Sequence, residues 1–130
     1  MNTDGQPFHW EGRAIAARLG EVRRAIQDWA RRAGLPADLI DELVLASYEA
    51  MANSAEHAYA AGPPGMLSVQ VSASPGSIDV VVADHGTWRA PDAYTRFRGR
   101  GLPLIKGLAE EVTVTTTEHG TTVRMRWRRD

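Results

Sequence analysis

Glu49-Ala-Met-Ala-Asn53-Ser-Ala-Glu-His57 sets a carboxylate, a carboxamide and an imidazole at strict four-residue steps. Residues four apart share one side of a helix. The stretch lies within a longer apolar pattern, in which Ile40, Leu43, Val44, Ser47, Met51, Ser54 and Ala58 trace a buried face. The pattern predicts a helix that starts between Pro36 and Asp38, where proline is tolerated in a first turn, and runs to about Tyr59. Glu49, Asn53 and His57 lie roughly opposite the main apolar stripe. A solvated polar face is the plainer reading. Against it, Leu45, Ala46 and Ala52 share that side. An asparagine inside a helix also costs roughly half a kcal/mol relative to alanine, which invites a reason for its presence.

Working outward, residues 14–33 repeat apolar side chains at three- and four-residue steps through Ile15, Leu19, Val22, Ile26, Trp29 and Ala30. That is an amphipathic helix with arginines outside. Gly34 is placed to cap its C-terminus, and Pro36 follows. Residues 8–10 read as a short edge strand, and residues 1–7 as a flexible tail ahead of one domain at 8–130. On the other side, Gly62-Pro-Pro-Gly65 stops helix and starts turn. Residues 67–73 alternate as a half-buried strand. Ser74-Pro-Gly-Ser77 makes a hairpin turn, and residues 78–83 form a denser, central strand. Residues 85–101 are poor in apolar side chains and rich in Gly, Pro and Arg, which suits a functional loop or lid. A short helix is expected over 102–109. Two β-branched strands, 112–117 and 121–127, flank His119-Gly120 as a second hairpin. The order β-α-α-β-β-lid-α-β-β puts helices early and strands late. It predicts an α+β two-layer sandwich, a mostly antiparallel sheet with helices on one face. A doubly wound parallel sheet needs strict alternation, which is absent.

The totals bound the function. With 130 residues the chain is large enough for a core without staples. The net charge of -1 argues against nucleic acid as a direct partner. No cysteine is present, which excludes disulfides and thiolate metal sites. No apolar run approaches the roughly 18 residues of a membrane span. The N-terminus lacks a signal-peptide pattern, so a cytoplasmic location is expected.

Three constellations carry chemistry. The Asn53 carboxamide oxygen can ligate Mg²⁺ while phosphates and water complete the octahedron. Glu49, one turn away, is placed to act as a base or to orient water. His57 alone reads more simply as a packing or hydrogen-bonding residue. Asp84-His-Gly86-Thr-Trp88 ends the central strand with a carboxylate that needs a partner, because a buried unpaired charge is expensive. An adenine amine would supply one, and Gly86 would let the base approach the backbone. An ordinary strand-ending Asp-Gly turn is the plainer alternative. Gly99-Arg-Gly101-Leu102 opens the third helix, where free N–H groups attract phosphate. Arg96, Arg98 and Arg100 crowd the same loop and are candidates to pair with it. The alternative is a basic surface loop. The P-loop ending Gly-Lys-Ser/Thr is missing.

Taken in order, Glu-x-x-x-Asn on a helix, Asp-x-Gly after a strand, Gly-x-Gly-Leu at a helix start and Gly120-Thr-Thr-Val123 on the last hairpin resemble the GHKL ATPase superfamily. The small size and short lid resemble, more narrowly, the anti-sigma factor serine/threonine-protein kinases of bacteria. The resemblance spans about residues 8–128. It implies the Bergerat, or histidine-kinase-like ATPase, fold, with ATP and Mg²⁺ bound. It implies Asn53 on the metal, Glu49 as general base, and Asp84, Gly86 and Thr121 at the adenine. It places Gly99, Gly101 and Leu102, with Arg96, Arg98 or Arg100, at the phosphates, and His57 nearby. Its implied partners are an anti-anti-sigma factor (a STAS-domain protein), which is phosphorylated, and a sigma factor, which is sequestered, commonly by a homodimer. A non-catalytic or ATP-binding-only interaction module on the same fold is the alternative.

Overall fold

The computed structural model describes residues 6–57, 65–86 and 102–129. The expected end of the second helix at Ala58 and Tyr59, residues 87–101 of the lid expected at 85–101 and most of the tail lie outside the described residues. Strand β1 spans Phe8–Arg13, longer than the expected 8–10. Helix α1 spans Ala16–Arg32 and helix α2 Ala37–His57. Strands β2 (Met66–Ser74) and β3 (Ser77–Asp84) form the first hairpin. Helix α3 covers Leu102–Leu108, and β4 (Glu111–Thr117) with β5 (Gly120–Arg128) form the second hairpin.

The helix ends follow local chemistry. Gly34 takes φ +80, which glycine adopts without a Cβ penalty. Its N–H bonds the Arg31 carbonyl and that of Leu35 bonds the Ala30 carbonyl, a Schellman closure of α1. At the other end Ile15 departs from the expected buried stripe. It occupies the N-cap with extended backbone, ahead of the first turn, and is 41% exposed. In α2, Pro36 accepts from Ile40 at 3.0 Å, and Asp38 sits in the first turn, where a negative charge complements the helix dipole.

The five strands form one antiparallel sheet in the order β1-β2-β3-β5-β4. Alternation decides its faces. Leu67, Val69, Val71, Ile78, Val80, Val82, Val123, Met125 and Trp127 point to one side and are buried. They meet Leu19, Val22 and Ile26 of α1 and Leu43, Ala46, Ala50 and Met51 of α2. The opposite face carries polar and charged side chains, among them Gln70, Asp79, Arg124 and Arg126. This is the two-layer α+β architecture expected from the order of elements. Two tryptophans pin its edges: Trp29 Nε1 donates to the Gln6 carbonyl at 3.0 Å and Trp127 Nε1 to the Leu108 carbonyl at 2.9 Å.

Candidate active site

The second half of α2 is where the polar stripe meets the core. Asn53 is only 7% exposed and Glu49 is half-buried, so this part of the stripe is not a solvated face. Asn53 Nδ2 donates to the Glu49 carbonyl at 2.9 Å. A carbonyl accepts only from a donor, so this bond fixes the amide's orientation and leaves Oδ1 as the available acceptor. No hydrogen bond engages that oxygen among the described residues. The Glu49 carboxylate makes no hydrogen bond or ion pair among the described residues. Arg23 stacks over the neighbouring Tyr48 ring at 5.5 Å and ties this turn of α2 to α1. Ser54, next to Asn53, is 1% exposed, and its hydroxyl is buried without a hydrogen-bond partner.

The end of β3 holds the second group. Asp84 is 3% exposed, and its Oδ1 accepts from Gly86 N at 3.1 Å and Thr121 N at 3.2 Å. The burial of this carboxylate is therefore met by backbone donors, and the need for a partner inferred from sequence is answered inside the protein. Thr121 is fully buried, and its hydroxyl donates to Thr116 Oγ1 at 3.2 Å.

Gly120 makes this arrangement possible, a role that the sequence pattern did not assign. Its φ is +142, and a Cβ there would overlap the Asp84 carbonyl oxygen. Only a residue without a side chain lets β5 pass close enough for Thr121 N to reach Asp84. Thr116 is a second residue to which the sequence pattern assigns no role. The two-residue turn at 118–119 was the available signal, because it sets Thr116 opposite Thr121.

The structure thus joins Asp84, Gly86 and Thr121 by hydrogen bonds and joins Glu49 to Asn53. Helix α2, which carries the first group, packs on β3, which carries the second. Leu102 begins α3. The side chains of His57 and Leu102, together with Arg96, Arg98, Gly99, Arg100 and Gly101, lie outside the described residues. No cluster of three or more His, Cys, Asp or Glu able to hold a metal occurs among the described residues. Among the described residues, the Asn53 oxygen is a candidate ligand for Mg²⁺ held mostly by phosphates and water. A groove of about 510 Å³ on the far face of the sheet is lined by Asp79, Glu111, Arg124 and Arg126. It is separated from Asn53 and Asp84 by the sheet itself.

The chain belongs to the histidine kinase-like ATPase domain family, whose model matches residues 13–127. Within that family it is similar to the serine-protein kinase RsbW of Bacillus licheniformis, at 32% identity over 124 residues, 82% of this chain and 76% of the relative. RsbW of Bacillus subtilis strain 168 is equally similar, 32% identical over 122 residues with the same coverage. Its fold matches a crystal structure of the RsbU and RsbW domains of a Mycobacterium tuberculosis protein, with a TM-score of 0.77 and 24% identity. That match covers 95% of this chain, which spans 33% of the longer one. Among the described residues no helix is long and apolar enough to cross a membrane.

Proposed function

We propose that the protein is an ATP- and magnesium-dependent serine/threonine-protein kinase acting as an anti-sigma factor. It phosphorylates an anti-anti-sigma protein of the STAS type and, in alternation, sequesters a sigma factor, as a cytoplasmic homodimer. The similarity to serine-protein kinases supports this reading. The observation that carries it is the Glu49–Asn53 pair. A carboxylate without a partner among the described residues stands one turn from a buried amide whose nitrogen is engaged and whose oxygen has no hydrogen bond among those residues.

Phosphoryl transfer asks the protein mainly for positioning and charge neutralisation. Asp84, Gly86 and Thr121 would receive the adenine. Gly99, Gly101 and Leu102, with Arg98 or Arg100, would receive the phosphates, and His57 would sit beyond Asn53. Asn53 Oδ1 would hold the metal, whose contribution is to neutralise phosphate charge. Glu49 would take the proton from the partner's hydroxyl as its oxygen bonds the γ-phosphorus. The bond from that phosphorus to the β,γ-bridging oxygen breaks, and ADP leaves.

Incubation with labelled ATP and candidate STAS proteins tests the reading. Glu49→Ala is expected to keep ATP affinity and to lose transfer by about 100- to 10,000-fold, the range for a general base. Undiminished transfer would remove Glu49 from that role. Asn53→Ala is expected to weaken ATP binding in the presence of magnesium by about tenfold or more, the equivalent of ~1.4 kcal/mol. Unchanged affinity in a titration with magnesium would rule out the metal contact. One observation favours a second reading, an interaction module with little turnover: Asp84 is satisfied by backbone amides before any nucleotide arrives. A stable STAS or sigma complex without labelled product would select it.

A further inference from the structure

Two hydroxyls in the core face of α2, those of Ser47 and Ser54, have no hydrogen-bond partner among the described residues. Ser47 is fully buried and Ser54 is 1% exposed. Burying a hydroxyl without a partner forfeits its bonds to water, so a serine at such a position invites a reason. The two stand seven residues apart, about two turns, and share one direction with the fully buried Leu43 and Met51. They differ in what lies beside them. Ser54 directly follows Asn53, near the C-terminal end of α2. Only residues 58–65 separate α2 from β2, and Leu67 of β2 pairs with Asp84. Because α2 also packs on β3, its C-terminal end lies toward the end of the sheet that holds Asp84. Ser47 lies two turns back from that end.

Other donors of the site are already spent. The N–H groups of Gly86 and Thr121 go to Asp84 Oδ1, the Thr121 hydroxyl goes to Thr116 Oγ1, and Asn53 Nδ2 goes to the Glu49 carbonyl. The Ser54 hydroxyl is a donor left unspent. Adenine asks for one. Along one edge it sets an exocyclic amine, which donates, beside ring nitrogen N1, which accepts. A carboxylate can answer the amine but has no proton to offer N1. We propose that Ser54 is a nucleobase-recognition residue whose hydroxyl donates to adenine N1, beside the contact of the amine with Asp84. This rests on the adenine placement in the reading above and adds the second half of a donor–acceptor code. Guanine offers the reverse pair at those two positions, an acceptor oxygen and a donor N–H, so its oxygen would face the carboxylate. The bond also accounts for the orphan hydroxyl: the nucleotide brings the partner that the fold withholds.

Calorimetric titration of the whole chain with magnesium and either ATP or 1-deaza-ATP, which carries C–H in place of N1, tests the assignment. The wild type is expected to bind 1-deaza-ATP about tenfold more weakly than ATP, the scale of one hydrogen bond. Ser54→Ala should bind ATP about tenfold more weakly than the wild type does, with no further loss for 1-deaza-ATP. Ser47→Ala removes the same group from the same face and should bind both nucleotides as the wild type does. Without nucleotide, neither variant should melt below the wild type, since each removes an unpaired hydroxyl. Equal binding of the two nucleotides by the wild type, wild-type ATP affinity in Ser54→Ala, or an equal loss in Ser47→Ala would each overturn the role of Ser54 and leave the kinase reading standing. So would a nucleotide-free Ser54→Ala protein that melts lower, because the hydroxyl would then be bonded within the fold. A wild type that binds no ATP would overturn the kinase reading itself, and the role of Ser54 with it.

Discussion

The two ends of β3 carry aspartates of opposite kind. Asp79, near the start, lies on the outer face of the sheet, and its Oδ1 accepts from Arg126 Nε at 2.7 Å in an exposed pair. That hydrogen bond, and then the charge behind it, raises the Arg126 pKa still further above its ordinary value. Asp84, five residues on, lies on the inner face and is held by backbone N–H groups. One strand thus shows two solutions for a carboxylate. On the wet face a mobile cation is enough, and little stability depends on it, because solvent screens both partners. On the dry face, donors fixed in the main chain are needed, and they constrain everything around them. The outer pair can be exchanged freely, whereas the inner one dictates a glycine at 120 and a strand register.

The sharpest way to break this contrast is Gly120→Ala. The substituent would meet the Asp84 backbone at a φ that side chains rarely adopt, and a loss of about 3 kcal/mol is expected in urea denaturation. Near-neutral behaviour would mean that β5 does not approach Asp84 so closely. Next, Asp84→Ala strips the acceptor from two buried amides, and a cost of about 1–3 kcal/mol follows. Asp84→Asn keeps an acceptor and should lose less, so the difference between the two variants measures the backbone bonds by themselves. The smallest effect is expected at the other end: Asp79→Ala should leave the melting temperature within experimental error. A clear drop there would erase the distinction between the faces.

What could be read from sequence was local. The three- and four-residue steps of α1, the Gly34 closure, the Ser74–Ser77 turn and the alternation of β2 and β5 each depend on neighbours within a few positions. The four-residue spacing of Glu49 and Asn53 likewise survives as a contact, through the amide bond to the Glu49 carbonyl. What escaped was distant or conformational. Thr121 reaches Asp84 across 37 positions, a meeting set by strand order that no window of sequence contains. Gly120 looked like a turn residue because its essential property, clearance for another strand's backbone, appears only when both strands are in place. Ile15 fits the apolar period of α1 but falls one residue before the helix, where the period no longer places it inward.

The indole of Trp127 fastens α3 by the carbonyl of its last residue, Leu108, and is itself 2% exposed. The helix is therefore tethered at its C-terminal end. A swing about that end could leave the tether intact, while complete undocking would have to break it. Because that indole is also an emitter, a variant that keeps Trp127 as its one tryptophan would gauge these two motions: undocking admits water to the ring and reddens the fluorescence, and a swing about the tether does not.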